Sequence, residues 1–132
     1  MTMTADKLIE AAASIVRPRT VGGRLFGDVG SALVTDHGNV FVGVCIDTGS
    51  GTGFCAEHSA IAAMVTAGES RIASIVAVWK DEHGATVVLP PCGRCREFIS
   101  QVHPDNLDTD VVLQRDRVVK LRELLPYHEW PS

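Results

Sequence analysis

The stretch CAEHSAIAAMVTAGESRIASIVAVWK, residues 55–80, decides the fold. Its first part is rich in alanine and carries Ile61, Met64 and Val65, and Gly68 closes it as a helix C-terminal cap does. Its second part, Ile72 to Trp79, is an almost continuous apolar run of strand length. An apolar run without polar alternation suits a strand covered on both faces. A further helix is expected from Cys92 to Val102, ended before Pro104.

On the N-terminal side, Thr4 to Val16 has apolar residues at helical spacing and is stopped by Pro18. Val21 to Gly30 contains Gly22, Gly23, Gly27 and Gly30 and reads as a mobile loop. Ser31 to Thr35 and Val40 to Asp47 are strands, joined by a hairpin turn at Asp36-His37-Gly38-Asn39. On the C-terminal side, Lys80 to Gly84 turns the chain, with strands expected at Thr86 to Leu89 and Asp110 to Leu113. A short helix is expected from Val119 to Leu125. Helices alternating with apolar strands predict one domain over residues 1–132, a three-layer α/β architecture around a mixed sheet.

Composition narrows the function. An apolar fraction of 45% and a charged fraction of 21% are ordinary for a globular protein. The formal net charge of -4 and the lack of a lysine or arginine run argue against a nucleic-acid polymer as partner. No apolar run approaches the roughly 20 residues of a membrane span. Met1 to Glu10 lacks a basic start, an apolar run and a cleavage site, so the expected location is the cytoplasm. In a reducing compartment, closely spaced cysteines more often bind metal or do redox work than form structural disulfides.

Cys55-Ala56-Glu57 and Pro91-Cys92-Gly93-Arg94-Cys95 each open a helix. Helix starts aim free backbone N–H groups at the sulfurs and favour thiolate, the form that binds zinc. Cys92 and Cys95 are three apart, so their side chains can meet one ion on the first turn. With Cys55 they make three zinc ligands and leave one position free for water, the inventory of a catalytic rather than a closed site. Glu57 stands where a carboxylate can take the proton of a water whose pKa zinc lowers toward about 7. Arg94 is expected to donate to a ligand sulfur and offset the excess negative charge. Two other uses of these cysteines stay open, a redox pair and a structural zinc site; His37, His58, His83, His103, His128 and Cys45 stand as isolated candidates for a fourth ligand.

The two cysteine segments resemble the cytidine deaminase superfamily, whose zinc signature includes Pro-Cys-x-x-Cys. The likeness runs from about Phe26 onward through Asp28-Val29-Gly30-Ser31-Ala32-Leu33, Phe41-Val42-Gly43-Val44-Cys45-Ile46-Asp47 and Leu121-Arg122-Glu123-Leu124-Leu125-Pro126. It implies a mixed five-stranded sheet with helices on both faces, a Zn2+ cofactor and a homotetramer of the short nucleoside-deaminase branch. It also implies hydrolytic loss of the exocyclic amine from a cytosine-type nucleoside, a reaction of pyrimidine salvage. Pro91 to Arg96, His103-Pro104 and Trp130 resemble the blasticidin S deaminases within that superfamily. The backbone at Ala56 and Pro91 would hold the base, Asp47 a ribose hydroxyl, and Phe26, Tyr127 and Trp130 the ring faces. Cys45 and Asp47 stand where the family carries Asn and Glu, Gly27 where it carries the stacking Phe, and His58 where it carries Arg. These departures leave room for a modified cytosine nucleoside, an antibiotic or a free aminated ring.

Overall fold

The computed structural model describes residues 3–131; Met1, Thr2 and Ser132 lie outside it, and with them the very start of the segment read for a targeting signal. Helix α1 (Ala5–Ser14) opens at Thr4, whose Oγ1 accepts the Lys7 N–H at 3.2 Å. Leu8, Ile9 and Ala12 share one helix face and are buried by it. Helix α2 (Ala56–Thr66) ends where its spacing predicts, with the Glu69 N–H reaching Met64 O and the Gly68 N–H reaching Val65 O, a Schellman pair. Helix α3 (Gly93–Val102) is the third. No helix among the described residues is long and apolar enough to cross a membrane.

The strands are β1 (Arg19–Val21), β2 (Arg24–Thr35), β3 (Val40–Ile46), β4 (Ile72–Lys80), β5 (Thr86–Leu89), β6 (Asp110–Gln114) and β7 (Arg117–Lys120). They form one mixed sheet of seven strands in the path β1-β2-β4-β6-β7, with β3 also on β2 and β5 also on β4. Among the described residues only β4 and β6 pair in parallel. The side-chain period of two splits β2 between two cores. Ala32 and Val34 join Leu8, Ile9 and Ala12 of α1, whereas Leu33 joins Ala60, Ile61 and Met64 of α2 and Ile99 of α3. That is the expected three-layer arrangement, with helices on both faces.

Two expectations are corrected. Val21 to Gly30 is not a loop: Gly22 (φ 58°) and Gly23 (φ 79°) make a two-residue turn between β1 and β2, and the register is Val21 with Arg24. A turn with both central residues at positive φ matches the strand twist, and it wants glycine. Val119 to Leu125 is not a helix either; Val118 and Val119 pair with Val112 and Val111, and only Leu121–Leu124 makes a 3₁₀ turn. The short strands β1 and β7 bring the sheet to seven strands rather than five.

Two features position the ends of α2 and α3. At Gly43 a Cβ would lie 2.4 Å from the Ala60 backbone nitrogen, so β3 and α2 touch through a hydrogen, and Ser59 Oγ donates to Val44 O at 2.7 Å beside it. After α3, a 3₁₀ turn (Pro104–Asp108) inserts the buried Asn106. Its Nδ2 donates to Ile99 O and Ser70 O at 3.1 Å, and its Oδ1 accepts the Ile72 N–H at 2.9 Å. The end of α3 is thereby pinned to the start of β4.

Candidate active site

Cysteine occupies the N-cap of both α2 and α3. Cys55 (φ -72°, ψ 161°) and Cys92 (φ -70°, ψ 169°) have the extended backbone of a cap, but neither side chain caps its helix. Ser, Thr, Asp or Asn would accept a helix N–H there. The sulfurs instead meet each other: Cys55 to Cys92 is 3.6 Å and Cys92 to Cys95 is 3.6 Å. Cys55 and Cys95 also approach within 4.8 Å. Two thiolates on one tetrahedral zinc at about 2.3 Å lie about 3.8 Å apart, so the sulfur spacing fits that ion.

The electrostatics agree with the spacing. Burial holds the Cys55 thiol above its ordinary range, and Cys92 and Glu57 push the same way. Cys95, wholly buried, is pushed far higher, first by burial and then by the Glu57 charge. Burial also opposes ionisation of Cys92, but the N–H groups of Cys95 and Arg94 and the neighbouring thiols outweigh it and hold Cys92 low. Three adjacent sulfurs cannot all ionise without a cation among them; a divalent ion makes the same cluster favourable.

Glu57 is 5% exposed on the first turn of α2, and burial holds its carboxyl above the usual range despite its own N–H and the Cys95 thiol. It lines a small cavity with Pro91, Ala77, Leu89 and Val111. Ala56 beside it is fully buried. Arg96 Nε donates to Pro91 O at 2.9 Å and its Nη1 to Leu124 O at 3.4 Å, fixing the backbone before α3.

Other candidate residues fall elsewhere. Arg94 Nη1 donates to Gly53 O at 3.1 Å, and among the described residues no hydrogen bond joins its guanidinium to a sulfur. Asp47 gathers with Asp28 and Cys45 at the end of β3, where the Cys45 thiol donates to Asp28 Oδ1 at 2.8 Å. Phe26, half-buried, pairs with Arg19 and Ile46 and does not line the cavity at Glu57. Trp130 is 92% exposed.

His58 is the residue that sequence reasoning left isolated. Its Nδ1 lies 3.5 Å from Cys95 Sγ and groups with Cys55 and Cys95 within 4.8 Å. Its ring stacks on Phe98 at 4.3 Å and 1°. Burial and then the Arg94 charge hold the imidazole below its usual range. The available signal was its place three residues beyond Cys55 on a helix start.

A sulfur cluster at two helix starts with a buried carboxyl beside it, on a three-layer mixed sheet, fits a catalytic zinc centre that activates water for hydrolysis. Residues 6–109 match the family model of the cytidine and deoxycytidylate deaminase zinc-binding region, and the chain belongs to that family. A cytidine deaminase of Mycobacterium tuberculosis is 34% identical over 99 residues, 74% of this chain and 69% of that one. A blasticidin-S deaminase of Bacillus cereus is 39% identical over 82 residues, 58% of this chain and 59% of that one. The crystal structure of cytidine deaminase from Mycobacterium tuberculosis superposes with a TM-score of 0.77 at 28% identity, covering 96% of this chain and 97% of that one. That of Burkholderia pseudomallei gives 0.74 at 30%, covering 95% and 98%.

Proposed function

We propose that this chain converts cytidine- or deoxycytidine-like nucleosides to their uridine-like products and ammonia. The observation that carries the reading is the contact of three cysteine sulfurs beside the buried Glu57 carboxyl. Cys55, Cys92 and Cys95 hold zinc, which when bound supplies Lewis acidity that makes water a nucleophile near neutral pH. Glu57 would take one proton from the attacking water and pass it to the ring nitrogen, then take the second from the new C4 hydroxyl and deliver it to the exocyclic amine, which leaves as ammonia. Its burial above the usual carboxyl range suits a group that must both accept and return a proton.

Around that centre the Ala56 and Pro91 backbone holds the base, and Arg96 keeps Pro91 in place. Asp47 takes a ribose hydroxyl, and Phe26 and Trp130 cover the ring. Arg94 offsets part of the thiolate charge through space while its guanidinium holds Gly53. The chain works as one domain over residues 1–132, as a cytoplasmic homotetramer in pyrimidine salvage, on small molecules rather than nucleic-acid polymers.

Cytidine should lose its ultraviolet absorbance in the presence of the protein, with stoichiometric ammonia. Glu57→Gln should cut kcat by about 10²–10⁴-fold with zinc per chain unchanged. Full activity of that variant would remove Glu57 from the chemistry. A second reading, an aminonucleoside antibiotic of the blasticidin S type, is favoured by the Asp28, Cys45 and Asp47 group, since two carboxylates suit a cationic substituent. The ratio of kcat/KM for cytidine and blasticidin S decides between them.

A further inference from the structure

The three-sulfur site leaves one polar group in its wall unexplained, the imidazole of His58. The ring comes from the first turn of α2, but it is held by α3: Phe98 lies flat against it at 4.3 Å and 1°. Phe54 stands across from it at 6.5 Å and 50°. The ring plane is therefore fixed by packing, and its Nδ1 points at Cys95 Sγ at 3.5 Å, the reach of an N–H to sulfur contact. Cys95 is the most deeply buried of the three sulfurs, with no solvent exposure to hydrate its charge. Arg94, the other donor nearby, spends its Nη1 on the Gly53 carbonyl.

Two roles fit a nitrogen in this place, a zinc ligand or a donor to a ligand. The contacts favour the second. The Cys92 sulfur is 3.6 Å from both the Cys55 and the Cys95 sulfurs, the spacing of ligands on one zinc, while His58 Nδ1 reaches Cys95 Sγ at 3.5 Å with its ring held flat on Phe98. Three sulfurs already supply the protein ligands of a site that keeps one position for water, which leaves His58 as a donor to one of them.

We propose that His58 is a positioning residue whose Nδ1–H donates to the Cys95 thiolate, fixing that sulfur and withdrawing charge from it, while its ring is clamped by Phe98. The inference rests on the assignment of zinc to Cys55, Cys92 and Cys95. A donor on a thiolate weakens the sulfur's push of electron density into the metal, so His58 tunes how acidic the ion stays with three thiolates bound. The fixed tautomer follows: the proton sits on Nδ1 because the sulfur accepts it.

His58→Phe keeps a ring on Phe98 and deletes the donor; His58→Asn deletes the ring and keeps an amide N–H near the Nδ1 position. With Co(II) in place of zinc, the thiolate-to-metal charge-transfer band should shift in His58→Phe, and zinc affinity against a chromophoric chelator should fall about tenfold. His58→Asn should restore most of both. Should the Phe variant fail to fold, His58→Leu takes its place against Asn. Wild-type values in His58→Phe, or equal losses in Phe and Asn, overturn the proposal. So does X-ray absorption of the zinc-loaded wild type showing imidazole scattering in the first coordination sphere. Absorption showing fewer than three sulfurs on zinc instead overturns the site assignment beneath it, which keeps the two failures distinct.

Discussion

At the residue scale, Glu57 makes a stability claim as well as a catalytic one. Its carboxyl ordinarily titrates at 4.5, and in the folded chain burial raises it. A raised carboxyl binds more protons folded than unfolded, so its contribution is complete below the unfolded value and is lost as pH climbs through the folded one. The metal-free protein should therefore lose stability upward from about pH 4.5, and Glu57→Gln should flatten that loss and raise Tm at neutral pH. A Tm–pH profile of the chelator-treated pair tests this; parallel profiles would mean that the carboxyl is solvated. The gathering of Glu57 and the cysteines was legible because it follows from local spacing, Cys-x-Glu and Cys-x-x-Cys on helix starts. His58 and Asp28 were not. What each does depends on a neighbour distant in the chain, Phe98 for one and Cys45 for the other.

At the element scale, the relation of α2 to β3 sets where Cys55 stands, and Gly43 sets that relation. A methyl there would meet the Ala60 backbone nitrogen and the Ser59 Cβ, each at 2.4 Å, atoms fixed to the helix backbone that cannot swing aside. Gly43→Ala should destabilise by about 1–3 kcal/mol in urea denaturation. It should also weaken zinc binding, because α2 can yield only by carrying Cys55 away from Cys92. A loss of stability with wild-type zinc affinity would show that the helix pivots about its N-terminus instead. The helices and the buried strand β4 were readable from period and length alone. β1, the first half of β2 and β7 were misread for two reasons: glycines that shape a turn and a bulge look like those of a loop, and Val119 beside Leu121 and Leu124 fits a helix face until strand β6 claims it. Asn106 shows the same limit, since three of its side-chain bonds reach α3, β4 and the segment before β4.

At the scale of the whole molecule, Tyr127 and Trp130 stand fully out from the chain at 104% and 92% exposure, while Val40 and Val42 of β3 and Val65 of α2 are also uncovered. Aromatics of this size each remove 150–250 Å² from water when buried, and soluble surfaces seldom leave them free without a partner. Nothing in one chain's sequence reveals this, because apolar periodicity reports burial without saying which chain supplies the cover. The proposed homotetramer would give them that cover, and with it the ring contact proposed for Trp130. In a Trp79→Phe background Trp130 is the one remaining tryptophan. At high concentration the particle mass should be about four times 14.1 kDa, with Trp130 emission shifted to the blue. Dilution should move mass, emission and KM for cytidine together, since the same association would cover the indole and complete the substrate pocket. Removal of residues 127–132 should raise KM sharply with zinc content unchanged. A fourfold mass with water-like Trp130 emission would take the aromatic out of the interface, and a fully active particle of 14.1 kDa would remove the tetramer itself.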